Sequence, residues 1–291
     1  MSTTIPTNTP ISQTTINNIL MCPPTYFDID YSINPWMDTT HKVDHKIAQI
    51  QWQNLYETIS NILATKNGKV ELIKPIDGSP DLVFIDAGLT YWFEDKKVFI
   101  PSNFMYPERE AEADIFADWF ADNGYELLWL EDTHKFEGHG DTLWAGDTKL
   151  FCGYGFRSQE STFEQIYEVL TNKFGDVTFE MFPLELCDDR FYHLDTCFCP
   201  INSTQALCFE AALTPESLAF AKTKIEIIPV SEQDALRFAC NALVIDKDVV
   251  IPTGSIETNA KLESLGYTVH QVNVDEFMKS GGACKCMSMP I

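Results

Sequence analysis

Basic residues are scarce in this 291-residue sequence, with 20 Lys and Arg against 43 Asp and Glu, and the formal net charge is −23. Nucleic acids and anionic membrane surfaces are bound through clustered Lys and Arg, and no basic stripe occurs along the chain. The composition therefore argues against either partner. An acidic surface attracts small cations, although its commoner effect is to keep a protein in solution.

Long apolar runs are also missing, since no segment approaches the roughly 18 consecutive apolar residues of a membrane-spanning helix. The first 15 residues are uncharged and rich in Thr, Ser and Pro, without the basic start and apolar block of a signal peptide. We expect residues 1–15 to form a disordered lead-in. Because no Gly-, Ser- or Pro-rich linker interrupts the remainder, we expect residues 16–291 to form a single domain.

The cysteine content does not suggest a secreted protein. Nine cysteines, an odd number, are spread along a chain that lacks secretory features. Free thiols in a reducing cytoplasm are therefore the better interpretation. A hydrophobic content of 45% and an aromatic content of 12% are typical of a folded globular protein.

Short β-type runs and amphipathic helical segments follow one another in the repeated order strand, strand, helix, strand. Four copies occur at a spacing of roughly 40–55 residues, which is typical of the blades of a ring. The first copy has its hairpin turn at residues 94–96. A fifth copy is incomplete, with one strand near residues 17–30 and a late strand within residues 281–291. The pattern predicts an α/β fold whose last module is closed by both termini.

Three short segments place polar side chains where strands normally bury apolar ones. In FYHLDTCF, the His and the Asp are two residues apart and would share one face of a strand. In a ring of blades such inward-pointing groups meet at the central axis, where they would join a C-terminal thiol. The polar positions are Glu137 and Asp141 in FEGHGD, His193 and Asp195 in FYHLDTCF, and Asp81 and Asp86 in PDLVFIDAG.

Each of these features has a simpler explanation when it is taken alone. A single His on a strand is more often a hydrogen-bonded core residue than a catalyst, and acidic Gly-rich loops are common turns. The pairs Cys197/Cys199 and Cys284/Cys286 could bind a metal, but structural zinc sites usually space cysteines two to four residues apart. Buried cysteine otherwise packs as a small hydrophobe. We therefore expect no metal site.

Seven motifs occur in the order MCPPTYFDIDYSINPWM, PDLVFIDAG, YPER, FEGHGDTLW, GYGFRS, FYHLDTCFCPI and GGACKCMSMP. Their order resembles that of the guanidino-group-modifying enzymes, which include arginine deiminases, dimethylarginine dimethylaminohydrolases, amidinotransferases and arginine dihydrolases. The resemblance runs from about Asn18 to Ile291 and is closest to the arginine dihydrolase-like branch. It implies a five-bladed α/β propeller (pentein) of ββαβ modules with pseudo-fivefold symmetry, which agrees with the repeat count.

The resemblance also implies the catalytic residues. The nucleophile would be Cys286, because the family cysteine precedes a Met/Leu-Ser/Thr pair after a Gly-rich turn, and Cys284 would be only its neighbour. The catalytic histidine of the HLDT motif would be His193, oriented by Glu137, the first residue of EGxGD. With this nucleophile on the strand that closes the ring, its sulfur could face the axis.

Substrate-binding positions follow from the same motifs. The family uses carboxylates for the guanidinium group and arginines for the substrate carboxylate. The matching residues are Asp86 and Asp195 for the guanidinium, with Asp141 a weaker candidate, Arg157 and Arg109 for the carboxylate, and Asn34 as a lining residue of the pocket.

The implied activity is hydrolysis of the guanidino C–N bond of arginine through a covalent cysteine–thiouronium intermediate, without metal or organic cofactor. Dihydrolase relatives carry FTANAG where this chain has FIDAG, one residue shorter and with Asp86 in place of Asn. The product would be citrulline after one hydrolysis or ornithine after a second. Alternatives are a dimethylarginine dimethylaminohydrolase, an amidinotransferase with an amine acceptor, and a non-catalytic module that binds a cationic amino acid. We expect the chain to act alone or as a simple homo-oligomer on a small cationic substrate.

Overall fold

The computed structural model describes residue 13 and residues 16–93, 96–131, 133–175, 177 and 179–291. Apart from Gln13, the expected lead-in lies outside the described residues, as do positions 94 and 95 of the first hairpin turn. The described part contains fifteen strands in five three-stranded sheets. In chain order they are β1 (Asn18–Met21), β2 (Lys69–Leu72), β3 (Gly88–Phe93), β4 (Lys96–Pro101), β5 (Glu126–Leu127), β6 (Thr142–Trp144), β7 (Lys149–Tyr154), β8 (Glu180–Glu185), β9 (Phe198–Pro200), β10 (Gln205–Cys208), β11 (Glu226–Pro229), β12 (Leu243–Ile245), β13 (Asp248–Pro252), β14 (Thr268–Val272) and β15 (Met289–Pro290).

Helices connect the second and third strand of each sheet, and single helical turns occur elsewhere. None of the helices in the described residues is both long and apolar enough to cross a membrane. The α-helices are α1 (His45–Ala64), α2 (Pro107–Asp122), α3 (Gly138–Asp141), α4 (Glu160–Phe174), α5 (Leu194–Cys197), α6 (Pro215–Lys224), α7 (Glu232–Ala235), α8 (Ile256–Ser264) and α9 (Asp275–Met278), and 3-10 turns span Pro80–Val83, Asp189–Phe191 and Glu210–Ala212.

All five sheets have the same connectivity. The first two strands form an antiparallel pair, and the third returns parallel to the second after a helix, as in β6, β7, α4 and β8. The same order holds for β3–β5, β9–β11 and β12–β14. A parallel return requires a crossover, and a helix supplies it. The mixed α/β fold and the repeated order of strand, strand, helix and strand are thereby confirmed.

The fifth sheet joins the two ends of the described chain. In it β1 pairs antiparallel with β15, so that Ile19 faces Pro290 and Leu20 faces Met289. It also pairs in parallel with β2. Pairing of the two termini was expected, but the expectation of an incomplete fifth copy is wrong, because α1 and β2 complete it.

The apolar side of α1 explains why this module folds like the others. Asp44 caps the helix by accepting hydrogen bonds from the backbone N–H groups of Lys46 and Ile47. Trp52, Leu55 and Ile59 follow at helical spacing and are buried, along with other residues of the same face. A comparable contact occurs in the first repeat, where Phe120 of α2 stacks on Phe99 of β4. The core therefore lies between each helix and its sheet.

A single turn precedes the first strand of each sheet, and these turns carry the polar motifs. They comprise the 3-10 turn before β3, α3 before β6, α5 before β9, and turns at residues 236–240 and 284–287 before β12 and β15. The expectation that His193 and Asp195 share a strand face is therefore wrong, since His193 occupies the position just before α5 and Asp195 lies within that helical turn. Cys286 likewise lies in a turn, not on the closing strand.

Candidate active site

Three polar side chains from three different turns converge at the predicted nucleophile. A carboxylate oxygen of Asp86, one of Asp195 and the sulfur of Cys286 all lie within 4.8 Å of one another. The Cys286 Sγ is 3.5 Å from Asp195 Oδ2. A backbone hydrogen bond of 2.7 Å from Ile85 N to Cys286 O holds two of these segments together. The structure thus brings two carboxylates and one thiol to a common point.

His193 stands beside this group and is oriented by Glu137. Its Nε2 lies 2.8 Å from Glu137 Oε2, and because a carboxylate only accepts, Nε2 carries the proton. Its Nδ1 is buried without a partner among the described residues, and so is Asp86 Oδ1. These two unpartnered atoms indicate where a polar ligand would be bound. The expected contact between the imidazole and its orienting acid is present.

The two glycines of EGHGD allow this close packing. Gly138 has a φ of +54°, and a Cβ there would lie 2.5 Å from Gly88 N. A Cβ on Gly140 would lie 2.8 Å from His193 Nδ1 and 3.2 Å from Asp86 Oδ1. Any side chain at Gly140 would therefore intrude on both unpartnered atoms.

Arg109 is buried and donates to protein acceptors from all three of its guanidinium nitrogens. Its Nη1 donates to Asp86 Oδ2 at 3.0 Å, while Nε and Nη2 donate to Glu112. Nη2 also donates to the carbonyl oxygens of Asp81 and Phe84. The guanidinium therefore fixes one oxygen of Asp86 and has no free edge for a substrate carboxylate, in contrast to its expected role.

Arg157 supports Glu137 in a similar way. Its Nη1 donates to Glu137 Oε2 at 2.8 Å and its Nη2 to the carbonyl oxygen of Ile33. The guanidinium lies between the rings of Tyr106 and Tyr192, with 4.7 and 4.4 Å to their centroids. In this arrangement Arg157 supports the pair of Glu137 and His193, and its role in binding a substrate carboxylate stays a prediction.

Asp141 and Asn34 also have structural partners. Asp141 accepts from the Ser158 hydroxyl at 2.6 Å and from Leu194 N at 3.0 Å, which fixes the turn that follows His193. Asn34 donates to the carbonyl oxygen of Ser280 and accepts from Trp36 N. It ties the long segment between β1 and α1 to the Gly-rich turn before Cys286. Neither side chain is part of the cluster around the sulfur.

Asn241 was not singled out by the sequence motifs, yet it touches the sulfur directly. Its Nδ2 donates to Cys286 Sγ at 3.1 Å. Its Oδ1 accepts from the backbone N–H groups of Ala283, Lys285 and Cys286, at 3.1–3.2 Å. The amide therefore caps the turn that carries Cys286, which explains why this segment winds instead of extending. An isolated Asn in NALVID gives no local signal of such a contact.

The sequence motifs did not indicate a role for Asp81. Its Oδ2 accepts from the Tyr31 hydroxyl at 2.8 Å, while Oδ1 is buried without a partner among the described residues. Burial raises the pKa of Asp81, opposed by the nearby Arg109. It lies at the start of the same segment as Asp86 and contributes to the negative character of this region.

Burial and charge determine the protonation states of the site. Cys286 is 2% exposed and His193 is 1% exposed. Burial, followed by Asp195 and Asp86, raises the pKa of the Cys286 thiol well above its usual value. Burial lowers the pKa of His193, but Asp141, Glu137 and Asp86 outweigh it and raise that pKa to about 9. Near neutral pH the structure therefore holds a neutral thiol beside an imidazolium.

The carboxyl groups of the site differ from one another in the direction of their pKa shifts. Burial alone would raise the pKa of Glu137, but Arg157 and His193 hold it well below its usual range. Burial raises the pKa of Asp195 to about 7, against the opposing charge of Lys285, and that of Asp141 to about 6. A cation placed between Asp86 and Asp195 would favour the ionised form of Asp195 and of the thiol together.

Five repeated modules and a buried cysteine, histidine and carboxylates are the features of the guanidino-group-modifying enzymes that the motifs resemble. Residues 23–291 match the family model described as N,N dimethylarginine dimethylhydrolase, eukaryotic, and the chain belongs to this family.

Curated relatives include two different named activities. The chain is 37% identical over 279 residues to the bifunctional arginine dihydrolase/ornithine cyclodeaminase ArgZ of Synechocystis sp., covering 94% of this chain and 37% of that protein. It is 33% identical over 272 residues to an N(G),N(G)-dimethylarginine dimethylaminohydrolase of Mycobacterium tuberculosis, covering 93% and 84% of the two chains. The chain thus spans little more than a third of the bifunctional relative.

A solved structure is similar over nearly the whole chain. The N-terminal domain of ArgZ, as a cysteine-to-serine mutant bound to substrate, matches with a TM-score of 0.84 and 35% identity, covering 94% of this chain and 97% of that one. The similarity is therefore to the N-terminal domain of that enzyme.

Proposed function

We propose that this chain hydrolyses the guanidino group of arginine, with Cys286 as nucleophile, His193 as acid and base, and Glu137 as the group that orients His193. The observation that carries the proposal is the convergence of Asp86, Asp195 and the Cys286 sulfur within 4.8 Å. Two carboxylates beside a thiol suit a planar cation whose carbon must meet the sulfur.

The first step is binding of the guanidinium between Asp86 and Asp195. Asp86 already accepts a guanidinium N–H on Oδ2, from Arg109, and its free Oδ1 would accept the substrate in the same manner. The bound positive charge offsets the carboxylates that raise the thiol pKa, so the thiol releases its proton to solvent and becomes a thiolate. The unpartnered atoms of the site then acquire their partners.

The sulfur adds to the guanidino carbon, and the terminal nitrogen leaves as ammonia after taking a proton from His193. A covalent thiouronium remains on Cys286. His193, now neutral, accepts a proton from water, and the resulting hydroxide displaces the sulfur to give citrulline. Glu137 stabilises the imidazolium at the start and the end of this cycle. Asn241 stabilises the thiolate by donating its Nδ2–H to the sulfur.

The number of hydrolyses depends on whether the neutral ureido group of citrulline is attacked in turn. A second cycle would yield ornithine, carbon dioxide and a second ammonia. Asp86, whose Oδ2 accepts from the Arg109 guanidinium and whose Oδ1 is an acceptor without a partner, suits a cation better than a neutral ureido group. We therefore propose citrulline as the main product, although the similarity to ArgZ supports the dihydrolase alternative.

A dimethylarginine dimethylaminohydrolase is the second candidate, and the matched family model favours it. It would use the same residues and release dimethylamine instead of ammonia. We have no observation that favours an amidinotransferase. The same three groups could also hold a divalent metal ion, and metal analysis of the purified protein distinguishes this case, since stoichiometric zinc would contradict the proposal.

We further propose that the five sheets close into a propeller around the site. The shared connectivity and the pairing of β1 with β15 support this arrangement.

The nine free cysteines, of which only Cys187 is exposed, support a reducing cytoplasmic compartment. A single domain over residues 16–291 and a homo-oligomeric state remain predictions.

Mass spectrometry of the products formed from arginine tests the proposed function. We expect citrulline from the unaltered chain and none from Cys286→Ser or His193→Ala. Cys284→Ser is the matched control, because it removes an equally buried neighbouring thiol that does not join the carboxylates. Activity of Cys286→Ser, or loss of activity only in Cys284→Ser, would contradict the assignment. Turnover of dimethylarginine but not arginine would favour the second candidate.

A further inference from the structure

A cavity of about 360 Å³ lies along the first strands of the five sheets. Its walls include residues from β3, β6, β9, β12 and β15, each of which begins just after one of the turns of the site and leads away from it. Among the described residues, neither Cys286 nor His193, Asp86 or Asp195 lines it. The cavity is therefore separate from the candidate active site.

One end of the cavity holds the ammonium group of Lys285, whose charge acts on Asp195 without a direct ion pair. Lys285 lines the cavity and is partly buried. Its Nζ donates to the carbonyl oxygen of His139 at 3.2 Å, and it forms no ion pair with any residue the structure describes. An ammonium group has three N–H donors, so capacity for an acceptor remains.

Two residues that line the cavity carry buried side-chain nitrogens without partners among the described residues. His139 is 5% exposed, and neither of its ring nitrogens has a hydrogen-bond partner in the described chain. Burial, followed by Lys285 and His193, holds the pKa of His139 well below its usual range, so the ring is neutral and carries one N–H. The indole Nε1 of Trp144 is also buried and unpartnered. A buried unpaired donor costs free energy unless a ligand or water supplies an acceptor.

The rest of the lining limits the shape of a ligand. The walls are mainly apolar, with Leu89, Trp92, Leu143 and Phe198 among them. Asp246 also lines the cavity and is paired with Lys66, so a second negative charge on the ligand would meet a carboxylate there. Small-molecule sites commonly have volumes of roughly 300–1,000 Å³, and this cavity falls at the small end of that range.

We propose that this cavity binds a small monocarboxylate with a short aliphatic chain. The carboxylate would accept hydrogen bonds from the Lys285 ammonium, the His139 imidazole and the Trp144 indole, and the chain would lie against the apolar walls. The proposal does not depend on the reaction assigned to Cys286.

Calorimetric titration of the whole chain at low ionic strength tests the proposal, with sodium butyrate as probe and butyramide as its uncharged equivalent. We expect saturable binding of butyrate and none of butyramide. Lys285→Met should weaken butyrate binding by about tenfold or more, because it removes the charge and keeps the length of the side chain. Lys261→Met, an exposed position on α8, is the matched control and should bind as the unaltered chain does.

A second variant and a competition experiment with arginine test the same binding site independently. Trp144→Phe, which removes only the indole donor, should weaken binding several-fold, and it serves if Lys285→Met fails to fold. In Cys286→Ser, saturating arginine should leave butyrate binding unchanged. Absence of binding, equal binding by Lys285→Met and the control, or displacement of butyrate by arginine would each overturn the proposal.

Discussion

At the residue scale, the contact of Asn241 with the sulfur of Cys286, the proposed nucleophile, predicts a specific effect on thiol reactivity. In Asn241→Asp, the oxygen that accepts from Ala283, Lys285 and Cys286 can remain, while the N–H donated to the sulfur is replaced by a negative oxygen. The pKa of the Cys286 thiol should therefore rise further. We expect alkylation of Cys286 by iodoacetamide at a fixed pH to slow by about tenfold or more, since one pKa unit changes the thiolate fraction tenfold.

The control for this measurement is Asn54→Asp, which makes the same charge change at an exposed position of α1. Its alkylation rate should equal that of the unaltered chain. A rate in Asn241→Asp that matches this control would show that the amide does not tune the sulfur. Because alkylation does not require arginine, the result is independent of the substrate assignment.

The pair of Glu137 and His193 predicts a change in pH dependence. Neighbouring carboxylates raise the pKa of His193 to about 9, so the imidazole is protonated below that pH and can give a proton to the leaving nitrogen. Glu137→Gln removes one of these charges, which should lower the pKa of His193. The alkaline limb of kcat/KM for arginine should therefore move to lower pH, as a pH profile would show.

Glu131→Gln, at an exposed position, is the control and should leave the alkaline limb in place. An unchanged limb in Glu137→Gln, in protein that still melts cooperatively, would show that His193 does not set this limb. Because Glu137 also pairs with Arg157, a lower melting temperature is expected in this variant.

At the element scale, α3 packs so closely on the site that its glycines are required. In Gly140→Ala the new Cβ would lie 2.8 Å from His193 Nδ1, a distance that forces the imidazole to move. We expect loss of arginine turnover by about a hundredfold or more, because small displacements of a catalytic group are costly. Steady-state kinetics and a thermal melt on the same preparation measure the effect.

Gly78→Ala provides the comparison for this variant. Its φ of +86° strains an Ala, but nothing lies within 4 Å of the added Cβ, so it should cost about 1 kcal/mol of stability without loss of turnover. If Gly140→Ala kept full activity, the close approach to His193 would be of no consequence for catalysis.

The turns before the first strand of each sheet also explain why the strand predicted for His193 and Asp195 was wrong. His193 and Asp195 were assigned to a strand because alternate residues share a strand face. In the structure Asp141 accepts from Leu194 N and Thr196 N donates to the carbonyl oxygen of His193, so the segment forms a turn. The partner that caps this turn comes from another module, and local periodicity carries no information about it.

At the scale of the whole molecule, pairing of β1 with β15 makes both ends of the described chain part of one sheet. Met289 is 1% exposed and packs in a cluster with Leu20, Ile73 and Phe99. We expect Met289→Ala to lower the free energy of unfolding by about 2–5 kcal/mol. If the sheet couples the modules, thermal unfolding should remain a single transition at a lower temperature.

Ile256→Ala is the control, since Ile256 is 69% exposed and its truncation should change stability by about 0.5 kcal/mol at most. Equal melting temperatures of the two variants would show that the terminal strand contributes little. Calorimetry that resolves two transitions in Met289→Ala would show that this sheet unfolds apart from the others.

The sequence by itself determined the repeated order of strands and helices and the family, and it predicted which thiol, imidazole and carboxylates lie at the candidate site. These follow from local periodicity and from short motifs, in which neighbouring residues carry the signal. The helix α1 was not predicted, because a long segment separates it from β1 and the fifth repeat is therefore not apparent from local periodicity.

Only the tertiary structure decided which charged groups are paired with one another. Arg109 and Arg157 were expected to bind a substrate carboxylate. In the structure Arg109 pairs with Asp86 and Glu112. Arg157 pairs with Glu137. Asn241 reaches Cys286 across 45 residues of sequence. Such contacts join turns from different modules, and the physical reason they escape sequence reasoning is that burial and partner distance are set by how the modules pack.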